Sequence, residues 1–188
     1  MTETAIQIEL PGWVAGVVGD PDAPYPTAEG RMDLAVALAR ASAGRGGGPF
    51  GAAVFERESG RLVAPGVNRV EAAGLSVAHA EIIALSLAQR RLGTYNLAAV
   101  GDYELVTSAA PCAQCFGAVP WSGVHAVVCG ARTADVEANG FDEGPKPADW
   151  AEQLAGRGVA VQQDVRREAA AAVVRAYVAG GGTIYNGG

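Results

Sequence analysis

Two short motifs constrain this chain more than anything else in it: His79-Ala80-Glu81, and further on Pro111-Cys112-Ala113-Gln114-Cys115. Each opens a stretch rich in helix-forming residues, so a fold that uses both must bring two helix starts together. The chemistry of the residues says why it should. Two thiolates neutralise a zinc dication and a neutral imidazole supplies a third ligand, so His79, Cys112 and Cys115 fill three positions of a tetrahedral site. A catalytic zinc keeps the fourth position open for water. Starting a helix at Cys-x-x-Cys favours ionised sulfurs, because free backbone N–H groups and the helix dipole attract negative charge there. Glu81 is not needed as a ligand and is therefore available to accept and pass on a proton. Positions two apart do not share a face in a regular helix, so His79 and Glu81 converge only if the first turn is irregular.

Blander readings stand beside this one. A closed structural zinc site could take Cys129 as its fourth ligand, and a Cys-x-x-Cys can serve redox chemistry. Cys129 lies in Ala-Val-Val-Cys-Gly, however, which reads as a buried strand, where a free thiol is simply a small apolar side chain. His125, the other histidine, fits a surface position at a strand end.

The remaining sequence is read as one α/β domain. Its 188 residues suit a single core, and no apolar run approaches the ~18 residues of a membrane span. Fourteen basic against twenty acidic residues give a net charge of −6, and Lys146 is the single lysine, which argues against a nucleic-acid partner. Three cysteines without a secretory start point to a reducing compartment, the cytoplasm. Proline-rich residues 1–26 are expected to form an irregular or partly helical arm, and 27–188 the domain with a short C-terminal tail. Within it, helices are expected at Thr27–Ala43, Ala78–Leu92, Asp149–Leu154 and Arg166–Val178, and one starting at Pro111. The runs Pro49–Arg57 and Arg61–Val67 around Glu58-Ser59-Gly60 read as a β-hairpin, with further strands at Tyr103–Thr107, His125–Cys129 and Val159–Val161. The glycines of 44–49 follow neither a phosphate-loop nor a dinucleotide pattern and are read as a connector. A hairpin followed by alternating helix and strand implies a mixed sheet with helices on both faces.

His-x-Glu followed by Pro-Cys-x-x-Cys, with 29 residues between Glu81 and Pro111, is the arrangement of zinc nucleobase deaminases. The surrounding segments strengthen the likeness: Gly48-Pro49-Phe50-Gly51-Ala52, Asn68-Arg69-Val70, Cys115-Phe116-Gly117-Ala118, Trp121-Ser122-Gly123-Val124 and Gly140-Phe141-Asp142-Glu143-Gly144. From about Thr27 to Asn186 the chain resembles the cytidine deaminase superfamily, and within it the guanine deaminase branch. The resemblance implies a three-layer αβα sandwich around a mixed five-stranded sheet, one zinc ion per chain, and a homodimer whose tail reaches the partner's site. It implies hydrolytic deamination of a free base: guanine to xanthine and ammonia, or a related aminopurine or aminotriazine. Carried over by position, Glu81 is the main proton shuttle. Glu143 comes from a loop to meet the exocyclic amine and help move protons. Asn68 hydrogen-bonds the purine, Phe50 packs on its ring, and Asp142, Trp121 and Ala80 are further substrate contacts. Plainer roles exist for several of these: Asn68 as a turn residue, Phe50 as core, Asp142-Glu143 as a solvated loop, Trp121 as a packing or interface residue. One departure is Ala110, which stands where many relatives place an acidic residue before Pro-Cys and offers the zinc segment no polar support. Cytosine, cytidine or tRNA adenosine as substrate, and a non-catalytic zinc-stabilised binding domain, are the competing readings.

Overall fold

The apolar runs flanking Glu58-Ser59-Gly60 form an antiparallel hairpin, β1 (Gly51–Glu56) and β2 (Leu62–Val67), with Gly60 supplying the positive φ the turn needs. The computed structural model describes residues 5–186. In it, β1 also pairs antiparallel with β3 (Tyr103–Ala109), which is parallel to β4 (Ala126–Ala131), itself parallel to β5 (Ala160–Gln162). The result is one five-stranded mixed sheet in the order β2-β1-β3-β4-β5. Strands β1, β3 and β4 are almost wholly buried because helices cover both faces.

On one face α2 (Ala28–Ala43) and α8 (Arg167–Ala179) pack Met32, Leu38, Val173 and Val174 against Ala53, Phe55, Val106 and Val128. On the other, α4 (Ala80–Leu92), α5 (Ala113–Ser122) and α7 (Trp150–Ala155) pack Ala84, Leu85, Val119 and Leu154 against Ala52, Val54, Leu105 and Val127. The alternation of residues along each strand thus feeds two separate cores.

The arm holds α1 (Trp13–Val18), whose Val14 is buried in the first core. Arg31, the first basic residue of the chain, secures it. Its guanidinium donates to the Tyr25 carbonyl (2.7 Å), the Arg57 carbonyl (3.0 Å) and Glu104 Oε1 (2.7 Å), with both charged side chains 8% exposed. A buried pair of this kind persists because its remaining donors are also satisfied.

The expected elements are present with shifted ends. The helix expected from Ala78 begins at Ala80, and the one expected at Pro111 begins at Ala113, because His79 and Cys112 are extended caps and not helical residues. Short helices α3 (Val70–Ala73) and α6 (Thr133–Glu137), and a tight turn at Leu97–Ala99, lie outside the sequence expectation, being too short to carry a period. No helix among the described residues is long and apolar enough to cross a membrane.

Candidate active site

Sheet register sets the site. Gly51 pairs with Val67 and Ala52 with Thr107, so the start of β1, the end of β2 and the end of β3 meet at one edge of the sheet. Phe50, Asn68 and Ala109-Ala110 lie at or just beyond those strand ends and line a cavity of about 320 Å³, within the range of small-molecule sites. Gly66 draws α4 onto β2: a Cβ there would fall 2.1 Å from the Ala80 carbonyl oxygen and 2.7 Å from the Ala84 nitrogen. The start of α4 is therefore pressed against the same edge.

Both motifs sit at helix starts in matching conformations. His79 caps α4 with φ −70 and ψ 153, and Cys112 caps α5 with φ −67 and ψ 175. Because His79 is extended, it leaves the helical repeat, and both His79 and Glu81 reach the same cavity, which a regular helix would not allow. His79 Nδ1 lies 3.4 Å from Cys112 Sγ and 3.5 Å from Cys115 Sγ, and all three atoms are within 4.8 Å of one another. Zn–S and Zn–N bonds of ~2.3 and ~2.05 Å at a tetrahedral angle place nitrogen and sulfur about 3.6 Å apart, so the three groups fit a zinc ion. Cys129 is outside this group: its thiol is buried, points to the Gln162 carbonyl, and is pushed up to about 12 by burial. The two motif sulfurs share one negative charge. The hydrogen bond from Cys115 pulls Cys112 down to about 4, and the same bond, with burial, holds Cys115 well above the usual thiol range. Burial opposes a charge on His79, but the Cys112 sulfur and Glu81 outweigh it and raise its pKa.

Zinc-site chemistry of this kind is matched by a family model. The model of the cytidine and deoxycytidylate deaminase zinc-binding region matches residues 26–131. A guanine deaminase from Nitrosomonas europaea has a structure 49% identical to this chain, with a TM-score of 0.90 over 95% of this chain and 99% of its own. The chain belongs to the zinc-dependent deaminase family, in its guanine deaminase branch. A second solved structure, holding 2,6-diaminopurine, is 51% identical with a TM-score of 0.90 over 97% of each chain. Guanine deaminase of Bacillus subtilis is 39% identical over 52% of this chain, a match that spans 59% of that relative's length.

In this deaminase the two carboxyl groups face the cavity from opposite elements. Glu81, from the first turn of α4, is buried, and burial together with the Cys112 charge raises its pKa. Glu143 arrives on the loop after α6. Burial lifts it to about 8, Lys146 pulling it down and the Cys112 and Glu81 charges pushing it up. Its carbonyl accepts the Ala113 N–H at the start of α5 (2.8 Å), which joins the loop to the zinc helix. Asn68 is buried, its Oδ1 accepting the Val70 N–H (3.2 Å). Phe50 and Asp142 also line the cavity, and Phe141 stands edge-on to Phe50 at 5.1 Å.

Two residues named from the resemblance lie elsewhere. Trp121 is 81% exposed on the outer side of α5, beside Ile82, Leu85 and Ala118 and not in the cavity. It follows the zinc ligands by two turns, which carries it out of the site. Ala80 is also absent from the cavity wall: it is fully buried, its methyl packed in the core between α4 and the sheet. The tail, which the resemblance sends toward a partner's site, here packs at the cavity of its own chain. Tyr185 packs on Phe141 at 5.5 Å, and Asn186 accepts the Asp142 N–H (2.9 Å) and donates to the Gly140 carbonyl (3.0 Å). Both line the cavity of their own chain. Their only sequence signal was a polar, aromatic ending after three glycines.

Proposed function

We propose that this chain hydrolyses guanine to xanthine and ammonia. The observation that carries the reading is a single cavity lined by His79, Cys112, Glu81, Glu143 and Tyr185, with the buried Cys115 sulfur within 4.8 Å of the His79 and Cys112 ligand atoms. The diaminopurine held by the similar structure is a flat aminopurine of the size the cavity admits.

His79, Cys112 and Cys115 would hold the zinc ion, which would supply Lewis-acid activation of water. The side chains do the rest. Phe50 packs on the ring, and the Asn68 amide, its oxygen occupied by Val70, presents its NH₂ to a ring acceptor. Glu81 takes the proton from the attacking water and delivers it to a ring nitrogen. Glu143, protonated near neutral pH, hands a proton to the departing amine and recovers one from the hydroxyl as the new carbonyl forms. Asp142 accepts the Gly144 N–H (2.8 Å) and so shapes the loop that brings Glu143 in. The acting unit is a homodimer in the cytoplasm, where free Cys112 and Cys115 thiols stay reduced. A net charge of −6 does not favour tRNA as substrate.

Ammonia release from zinc-loaded protein, measured across free bases, nucleosides and aminotriazines, tests the reading. Guanine should be the preferred substrate. Glu81→Gln should retain zinc and lose activity by roughly 10²-fold or more, since only proton transfer is removed. No turnover of any base by the loaded parent, or full activity in the variant, would overturn it.

A further inference from the structure

The only lysine of the chain is buried behind the zinc segment, and no motif accounts for it. The Lys146 side chain is 4% exposed. Burying an ammonium is costly unless it is held by hydrogen bonds and charge. Nζ donates to the Pro111 carbonyl (2.5 Å) and to Thr133 Oγ1 (2.8 Å), lies 5.0 Å over the Trp150 ring, and stands 3.8 Å from Glu143 Oε2. That last oxygen has no hydrogen-bond partner. Pro111 immediately precedes the ligand Cys112, while Lys146 follows Glu143 by three residues. Its own N–H donates to the Gly144 carbonyl (2.7 Å), so the loop is folded tightly around the ammonium. Lys146 does not line the cavity and cannot touch a substrate there. Ala110, before Pro111, has no polar group, so polar support for this segment comes from the loop instead.

We propose that Lys146 is a positioning residue for the reaction: its ammonium fastens the Glu143 loop to the Cys112 segment and sets where the Glu143 carboxyl stands. This rests on the reading of Glu143 as a proton carrier. An ammonium 3.8 Å from Oε2, just beyond hydrogen-bond length, biases the position of the carboxyl group electrostatically without tying up its oxygen.

The test is a double-mutant cycle on zinc-loaded protein, with Lys146→Gln, Glu143→Gln and the pair, following zinc content, thermal midpoint, kcat and KM. A glutamine amide in place of the ammonium can still donate to the Pro111 carbonyl but carries no charge. Lys146→Gln should keep its zinc and lose roughly tenfold in kcat, with KM within about twofold of the parent. In the Glu143→Gln background the same change should cost less than about twofold, because the residue it acts through is already gone. Should Lys146→Gln not fold, Thr133→Val removes one partner of the ammonium and should show a smaller kcat loss that likewise vanishes beside Glu143→Gln. Losses that multiply in the double variant, or a loss falling on KM or zinc content, would overturn the positioning role alone. A fully active Glu143→Gln would overturn both that role and the reading of Glu143.

Discussion

Burial keeps Glu143 protonated to about pH 8 in the folded protein, against an ordinary value of 4.5. Between those values the folded state holds a proton that the unfolded chain has released, so this residue makes stability fall as pH rises. Its contribution is fully present below the ordinary value and is lost as pH climbs through the raised one. Cys112 works the other way, its pKa drawn down to about 4 by the Cys115 hydrogen bond, so the total slope mixes opposing contributions. The difference between parent and Glu143→Gln isolates the carboxyl. In zinc-free protein the parent should lose stability relative to the variant by on the order of a few kcal/mol between about pH 4.5 and 8. Chemical denaturation across that range checks it. A difference that stays flat with pH would mean Glu143 is solvated and not poised in the cavity.

At the scale of elements, the site is an assembly of ends: two helix caps, three strand ends, one loop and the tail. The tail fits because residue 48 has no side chain, since a Cβ on Gly48 would fall 2.0 Å from Tyr185 Oη and 3.0 Å from Asn68 Cγ. Gly48→Ala must therefore displace Tyr185 while leaving the zinc ligands in place. Expected is a roughly tenfold rise in KM with zinc content and thermal midpoint near those of the parent, read by steady-state kinetics. An unchanged KM would detach the tail from substrate binding. The same residue marks where the sequence stops being legible. Gly48 falls in a run read as a connector, because a glycine required for close approach and one that only adds freedom look alike in sequence. His79, Glu81, Cys112 and Cys115 were legible because metal chemistry fixes their type and spacing. The mixed sheet was implied by the hairpin and the helix–strand alternation. The tail was implied by the resemblance without the contacts of Tyr185 and Asn186, and Lys146 was not legible, since these act through contacts such as Tyr185 with Phe141 and Lys146 with Pro111 that lie far apart in the chain. Trp121, carried over from the resemblance as a substrate contact, lies outside the cavity of its own chain, because along α5 it turns away from the zinc ligands and leaves the packing or interface role.

For the whole molecule, that outward tryptophan is the feature left to explain. Trp121 is 81% exposed in a protein whose other two tryptophans, Trp13 and Trp150, pack against its cores. It stands beside Ile82, Ser86, Gln89 and Ala118, over the buried Leu85, on the outer side of α4 and α5, the two helices whose starts carry His79 and Cys112. A large aromatic side chain held in water favours burial against a partner, and tryptophan is enriched at protein interfaces. A second copy of the chain on this surface would clamp both zinc-bearing helices from outside. Sedimentation of the parent should then give a dimer at micromolar concentration, and Trp121→Glu a monomer, because a desolvated carboxylate in the interface costs several kcal/mol. The variant should bind zinc and keep its fold, as the Trp121 side chain is 81% exposed. A monomeric parent, or a dimer indifferent to Trp121→Glu, would move the interface to another face.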